Sequence, residues 1–440
     1  MELVEIPSGT QLGTWTVPDE WIVKEAWIKY NGEKILDYGE DPKCLMVYSE
    51  PVRRIYDTSK TDNADNPLGE LKEHLYYSEE NPDVAPYEYS FYEKKWGFCV
   101  KRDFIKTKKP GKCEVGDCHP ELKEIDPEVG KVTIEGQDYT PEFEEVLKDG
   151  QYEVFIDSEF KPGTMKIGVH TIPGKTDREI LLFAHLDHPY QANDNLSGVA
   201  CLMDLAEKLK DKYEHTIKIV ICPETIGSIA YAETQDISKV DFVISVDAVG
   251  NDNTLLIQKS FDKYARINYA VHLAVQELGI SYRKGDFRLL IGSDETVFND
   301  PLIGIPGILL SRFPYKEYHL YSDTPDLIKI DKIKEVQNVI LKTIDIYEKD
   351  FIPARKEKGI LMRSKYGLQT PHKLINRALD YLLFDIDGKK YLSEITMPLG
   401  VTFTYCLDVL KKLEENGITS RLNIGEGKLK KTSSKKQKTS

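Results

Sequence analysis

The sequence predicts an α/β protein: a mixed, mostly parallel central sheet flanked by helices, with a mainly β domain before it and a small helical module after it. Three observations lead there. Between about 150 and 350, short β-branched runs alternate with helical patterns, and strands alternating with helices imply a largely parallel sheet. Before residue 150 the chain is rich in Tyr, Trp, Pro and short alternating runs, and beyond 371 apolar residues recur at helical spacing.

The chain's 440 residues suffice for two or three domains. With 40% hydrophobic and 30% charged residues it has a globular composition, and it contains no run of 18 apolar residues, so no membrane span is expected. Its start, "MELVEIPSGTQLGTW", lacks the regions of a signal peptide, and seven scattered cysteines offer no disulfide framework. A cytoplasmic location is therefore expected. A net charge of −14 argues against general nucleic-acid binding.

Taken in order, "AWIKYNGEKILDY" (26–38) is a hairpin with Asn31-Gly32 at its turn, because that pair accepts the positive φ angles a two-residue connection needs. "EYSFYEKKWGFCV" (88–100) is strand-like, and 102–148 is a polar, turn-rich excursion with room for one hairpin. The expected core strands are "EILLFA" (179–184), "TIKIVIC" (216–222), "DFVISV" (241–246), "TLLIQK" (254–259) and "PGILLS" (306–311). Helices are expected over 198–210, 266–279 and 331–350, where apolar residues recur at three and four. Residues 371–384 and 391–418 predict three more helices with breaks at Pro398-Leu399-Gly400 and Asn416-Gly417, which suits a helix-turn-helix or winged-helix module. From Gly367 to Gly425 that module has seven basic and seven acidic residues, so a protein partner is expected there rather than nucleic acid. The six-lysine tail "GKLKKTSSKKQKTS" is expected to be disordered.

Sites on open α/β sheets lie beyond the carboxyl ends of the strands. After "LLFA" come His185, Asp187, His188 and Asp194, after "IKIVIC" comes Glu224, after "FVISV" comes Asp247, and the loop "YHLYSDTPD" brings His319. Each has an ordinary explanation: Asp194 or Glu224 as a helix cap, Asp247 as a turn residue, a lone His as a satisfied polar group. Three strand ends with the same chemistry are harder to explain that way. Four clustered acids without a cation would repel one another, and mixed His/carboxylate ligation suits Zn²⁺.

The segments "HLDHPYQANDNLSGVA", "PETIGS", "SVDAVGN", "GSDETVFNDPLIGIPGILLS" and "YHLYSDTPDLI" resemble, in order, the motifs of M28-family zinc aminopeptidases. With "IPSGTQLGTWTVPDEW" and "WGFC" at the start, the chain is similar to M28-like proteins of the DUF4910 type, which carry an inserted β domain (DUF2172) and a winged-helix-like C-terminus. The resemblance implies a zinc-exopeptidase-like core that begins with a strand in 1–12. An inserted mainly β domain would follow at 13–148, the catalytic domain at 149–352, a winged-helix-like module at 360–425 and a basic tail at 426–440. It implies that His185 and Asp247 bind a first zinc, that Asp194 bridges to a second held by His319, and that Asp187 orients a ligand histidine. Asp294 and Glu295 fall in the segment lining the family's substrate pocket, where they either hold a substrate's α-amino group or stabilise their loop.

The family pattern Glu-Glu-x-Gly is here Glu224-Thr225-Ile226-Gly227. On that alignment Glu224 is the general base, and Thr225 stands where a carboxylate ligand belongs. His188 is a candidate to fill the vacancy, or Glu224 itself turns to the metal. The expected function is a zinc aminopeptidase with one or two Zn²⁺ per chain, using a metal-activated water on a peptide or amide substrate. Two alternatives stay open: a single-zinc amidohydrolase or deacylase acting on a modified sugar or peptide, and a catalytically silent aminopeptidase-like binding or regulatory protein. Two smaller features have plainer explanations. Cys113, Cys118 and His119 could form a metal knuckle, but their irregular spacing favours incidental thiols in a loop, and Tyr87, Tyr89, Phe91, Tyr92 and Trp96 could bind sugar rings, although strand packing is the commoner use of such residues.

Overall fold

A computed structural model describes residues 1–57, 67–105, 107–110, 132–134, 137–139, 143–210 and 212–422. The Cys113/Cys118/His119 group and the basic tail lie outside the described residues. The chain starts with β1 (Glu2–Pro7), followed by β2 (Glu20–Tyr30), β3 (Glu33–Asp37) and β4 (Val52–Asp57). Then come β5 (Gln151–Lys161), β6 (Thr164–Ile172), β7 (Glu179–His185), β8 (Thr216–Cys222) and β9 (Val240–Asp247). The strands β10 (Leu255–Gln258), β11 (Tyr282–Gly285) and β12 (Gly307–Ser311) complete the core.

The central sheet has eight strands in the order β1-β6-β8-β7-β9-β12-β10-β11. Its middle four, β8, β7, β9 and β12, are mutually parallel, with antiparallel pairings at β1–β6, β6–β8 and β12–β10. The fold is the mixed α/β class expected. On one face lie α1 (Ser197–Leu209), α3 (Arg266–Leu278) and α4 (Ile330–Lys349); on the other lies α2 (Ile226–Thr234). Ile180, Leu182 and Ala184 of β7 join the first cluster, Leu181 and Phe183 the second. A strand covered on both faces has to be apolar throughout, which is why "ILLFA" does not alternate.

The predicted hairpin is β2–β3, with Asn31 at φ 49° and Gly32 at φ 87°. It belongs to a four-stranded antiparallel sheet, β3-β2-β5-β4. β5 thus joins this sheet and not the central one. Residues 88–100 differ from expectation: only Phe98–Cys99 is strand, and 88–97 is an irregular turn. Tyr87 and Trp96 are buried, whereas Tyr89, Phe91 and Tyr92 face solvent. Two elements gave no signal. α2, "IGSIAYAET", is too rich in small residues to show a polar face, and β11, "YRKG", is a polar edge strand.

The C-terminal part forms α5 (Lys373–Asp385), α6 (Leu392–Thr396) and α7 (Phe403–Glu415), with Gly400 and Gly417 in the left-handed region at the expected breaks. A final strand, β14 (Thr419–Leu422), returns to pair with β13 (Ile352–Arg355). Leu379, Leu392, Phe403 and Leu410 share one apolar cluster with α3 and α4. Among the described residues no helix is long and apolar enough to cross a membrane.

Candidate metal centre

The parallel strands β7, β8 and β9 end side by side, so the residues that follow them meet. His185 is the last residue of β7 and Asp247 the last of β9. Asp194 arrives on the loop before α1, and that loop is stitched to the chain after β9. Asn195 donates to Val246 O (2.8 Å) and accepts from Ala248 N (3.1 Å), while Asn193 accepts from Gly250 N (2.8 Å). Gly198 is required here, since a Cβ would sit 2.4 Å from Val246 O.

Asp323, fully buried, holds the same loop from the other side. Its carboxylate accepts the backbone N–H groups of Ala192 (3.2 Å), Asn193 (2.6 Å) and Asp194 (3.1 Å), and the Tyr315 hydroxyl (2.9 Å). Reading the sequence for donors passed it over, although it stands four residues after His319 in a motif already singled out. The β domain contributes too: Tyr87 N–H donates to His319 O (2.8 Å) and Tyr321 N–H to Ala85 O (3.0 Å), fixing the His319 loop.

His185 Nδ1 lies 3.0 Å from Asp187 Oδ1. A carboxylate only accepts, so the proton sits on Nδ1 and the Nε2 lone pair faces inward. That Nε2 is 3.3 Å from Asp194 Oδ1 and 3.4 Å from Asp247 Oδ1. His188 Nδ1 is 3.2 Å from Asp194 Oδ1, and His319 Nε2 is 3.3 Å from Asp194 Oδ2. Yet His185 Nε2, His188 Nδ1, His319 Nε2 and Asp247 Oδ1 are buried without a hydrogen-bond partner among the described residues. Buried polar atoms are seldom left so. The distances are short but the directions are wrong for hydrogen bonds, as when atoms aim at a common point between them. Donor atoms of His188, Asp194 and His319 lie within 4.8 Å of one another, as do those of His185, Glu224 and Asp247.

The electrostatics also ask for a cation. Burial disfavours a charged His185 imidazole, but Asp247, Asp187 and Asp194 together hold its pKa well above the ordinary value. His188 is likewise pushed up to about 9, the Asp194 carboxylate overcoming burial. Imidazoles so strongly drawn to carry positive charge mark an uncompensated anionic site, and a divalent ion supplies that charge. The donor set, three His and two Asp with Glu224 adjacent, fits Zn²⁺.

Glu224 is partly exposed, 3.8 Å from His188 Nε2. Burial foremost, with Asp247 and Asp294 adding repulsion, pushes its pKa up to about 8. Thr225, next to it, has φ 61°, which is strained for a β-branched residue. Its N–H donates to Asp294 Oδ1 (3.0 Å). Asp294 and Glu295 are 0 and 1% exposed, and Glu295 accepts from Ser293 N–H. Asp294 thus meets the backbone next to Glu224 and Glu295 its own loop, and both are buried.

The model of the family described as "Domain of unknown function (DUF4910)" matches residues 1–350. A Clostridium acetobutylicum protein named "Putative polysaccharide biosynthesis protein with aminopeptidase-like domain" is 28% identical over 434 residues, covering 94% of this chain and 88% of its own. The crystal structure of a C. acetobutylicum protein called a "putative peptidase" superposes with a TM-score of 0.71 at 27% identity, over 96% of this chain and 88% of that one. A zinc aminopeptidase from Bacillus subtilis aligns over 78% of this chain and 84% of its own, at 12% identity and a TM-score of 0.48.

Proposed function

The chain belongs to the DUF4910 family, whose description states no activity, and from its site we propose that it is a metal-dependent hydrolase of peptide or amide bonds, an aminopeptidase-like enzyme using zinc. The observation that carries this reading is the set of orphaned buried donors, His185 Nε2, His188 Nδ1, His319 Nε2 and Asp247 Oδ1, gathered about Asp194.

His185 and Asp247 would hold one metal and His319 a second, with Asp194 shared. His188 would take the place that Thr225 leaves without a carboxylate. Held by these residues, a metal would supply an acidified water and a polarised carbonyl. Asp187 keeps the His185 proton on Nδ1, so that Nε2 stays a ligand. Asp323 keeps the Asp194 loop in place. Glu224, whose carboxylate lies beside the His185 and Asp247 donors, takes a proton from the attacking water and returns it to the leaving nitrogen.

A second reading has its own observation: Glu224 lies within 4.8 Å of the His185 and Asp247 donor atoms. With Glu224 as a third ligand beside His185 and Asp247, and Thr225 supplying no carboxylate for a second site, one zinc would suffice and the chemistry would be that of an amidohydrolase.

Elemental analysis of the purified protein, wild type and Glu224→Gln, separates the two when combined with assays on aminoacyl and N-acyl substrates. As general base, Glu224→Gln keeps its metal and its fold but loses at least about a hundredfold in hydrolysis. Loss of metal in that variant selects the single-zinc reading. Wild-type protein without bound metal, and with no turnover once zinc is supplied, rejects both.

A further inference from the structure

Two tyrosine rings border the cluster: Tyr318 stacks on His319 at 4.0 Å, and Tyr87 reaches it from the β domain. Tyr87 lies 5.3 Å from the His188 ring and 5.7 Å from that of His319. From it a continuous strip of aromatic rings runs outward: Tyr87 to Tyr89 at 5.8 Å, Tyr89 to Phe91 at 5.0 Å, Phe91 to Tyr48 at 5.7 Å. Tyr89, Phe91 and neighbouring Tyr92 are 45, 40 and 58% exposed. An exposed aromatic patch beside a site calls for a use.

The turn beneath this strip is tied down by hydrogen bonds. Val47 N–H donates to Glu88 O (2.9 Å), Ser90 N–H to Val47 O (3.0 Å) and Ser90 Oγ to Glu93 O (2.7 Å). The hydroxyls of Tyr48 and Tyr92 are anchored on Asp19 O (2.9 Å) and Thr16 O (2.6 Å). The turn that carries Tyr89 and Phe91 is thus held before any ligand arrives, which lowers the ordering cost of binding.

Its shape and charge indicate what it takes. An apolar side chain is held best in an enclosed pocket that removes its whole surface from water. An open strip covers one face only, which suits a ring with an apolar face and hydroxyls around its edge. The strip itself is built of Tyr and Phe and carries no charge with which to hold a phosphate or carboxylate, whereas a neutral ring needs none.

We propose that Tyr89 and Phe91 form a binding shelf for a neutral sugar ring, placing the amide of an N-acylated saccharide over the adjoining cluster. The location of the scissile amide rests on the hydrolase reading; the shelf itself does not.

The test is a calorimetric titration of N,N′-diacetylchitobiose into the full chain in the Glu224→Gln background, which prevents turnover. Saturable binding is expected, weakened about three- to tenfold by Phe91→Ala, in line with the loss of one aromatic partner. Tyr89→Ala is expected to act likewise, Phe91→Trp to retain binding, and metal content to be the same in all. The shelf is refuted by absence of saturable binding up to millimolar sugar, by binding that Phe91→Ala leaves intact, or by a capped phenylalanine dipeptide binding in the sugar's stead with the same dependence on Phe91. Sugar binding that depends on Phe91 in a protein without metal or hydrolytic activity would defeat the hydrolase reading alone and leave the shelf standing.

Discussion

Two buried histidines illustrate how differently one residue type is used. His185 is surrounded by carboxylates and kept in one tautomer by Asp187. Asp187→Asn is expected to leave the fold intact and weaken metal affinity about 10–100-fold, read by competition with a chelator. His272, on α3, is 2% exposed, and neither ring nitrogen has a partner among the described residues. Burial, helped by Lys284 and Lys259, pushes its pKa down to about 3. The folded protein thus refuses a proton that the unfolded chain accepts below its ordinary value near 6.5. Stability is fully present above that value and is lost as pH falls towards 3, by about 1.4 kcal/mol per pH unit. Urea unfolding at pH 6.5 and 4.5 is expected to give a smaller difference for His272→Leu than for wild type, by about 2–3 kcal/mol.

The decisive element is the loop between β7 and α1, which carries Asp194. It is held by backbone and amide hydrogen bonds to the chain after β9 and by Asp323 from the far side. Asp323→Asn keeps the size but sets an NH₂ group against N–H donors. It is expected to cost about 1–3 kcal/mol of stability and to lower metal occupancy although Asp323 is no ligand; elemental analysis with a thermal melt checks both. Gly198→Ala forces a Cβ against Val246 O and Asn195. A loss of about 1–3 kcal/mol is expected from overpacking, again with reduced metal, and the same pair of measurements applies.

At the scale of the molecule, the three parts are not independent. The β domain fixes the His319 loop through Tyr87 and Ala85, and the C-terminal helices complete the apolar cluster over α3 and α4. Asp350, at the end of α4, accepts Ser393 N–H (2.9 Å) and Oγ–H (2.7 Å) at the start of α6. Truncation after residue 352 would uncover this face and leave Asp350 without those partners. The shortened chain is expected to aggregate or melt at least about 5 °C lower, as read by light scattering and calorimetry, since only one or two kcal/mol suffice for such a shift.

Much of this was legible beforehand, for a physical reason. A strand buried on both faces must be apolar along its length, and a parallel sheet must place its site at the strand ends, so "EILLFA", "TIKIVIC" and "DFVISV" marked both the core and the edge where His185, Glu224 and Asp247 stand. Local chemistry likewise marked the Asn31-Gly32 hairpin and the glycine breaks at 400 and 417. Other features had no local signature. β5 pairs with β2 across more than a hundred residues, Tyr89 and Phe91 look like any strand aromatics until the turn exposes them, and Asp323 acts only because the chain folds it under Asp194. The sequence by itself determined which residues must be buried and which donors follow each strand, since both depend on neighbours along the chain. Only the tertiary structure decided which donors face one another and which rings stay open to solvent, because those are set by contacts between segments far apart in sequence.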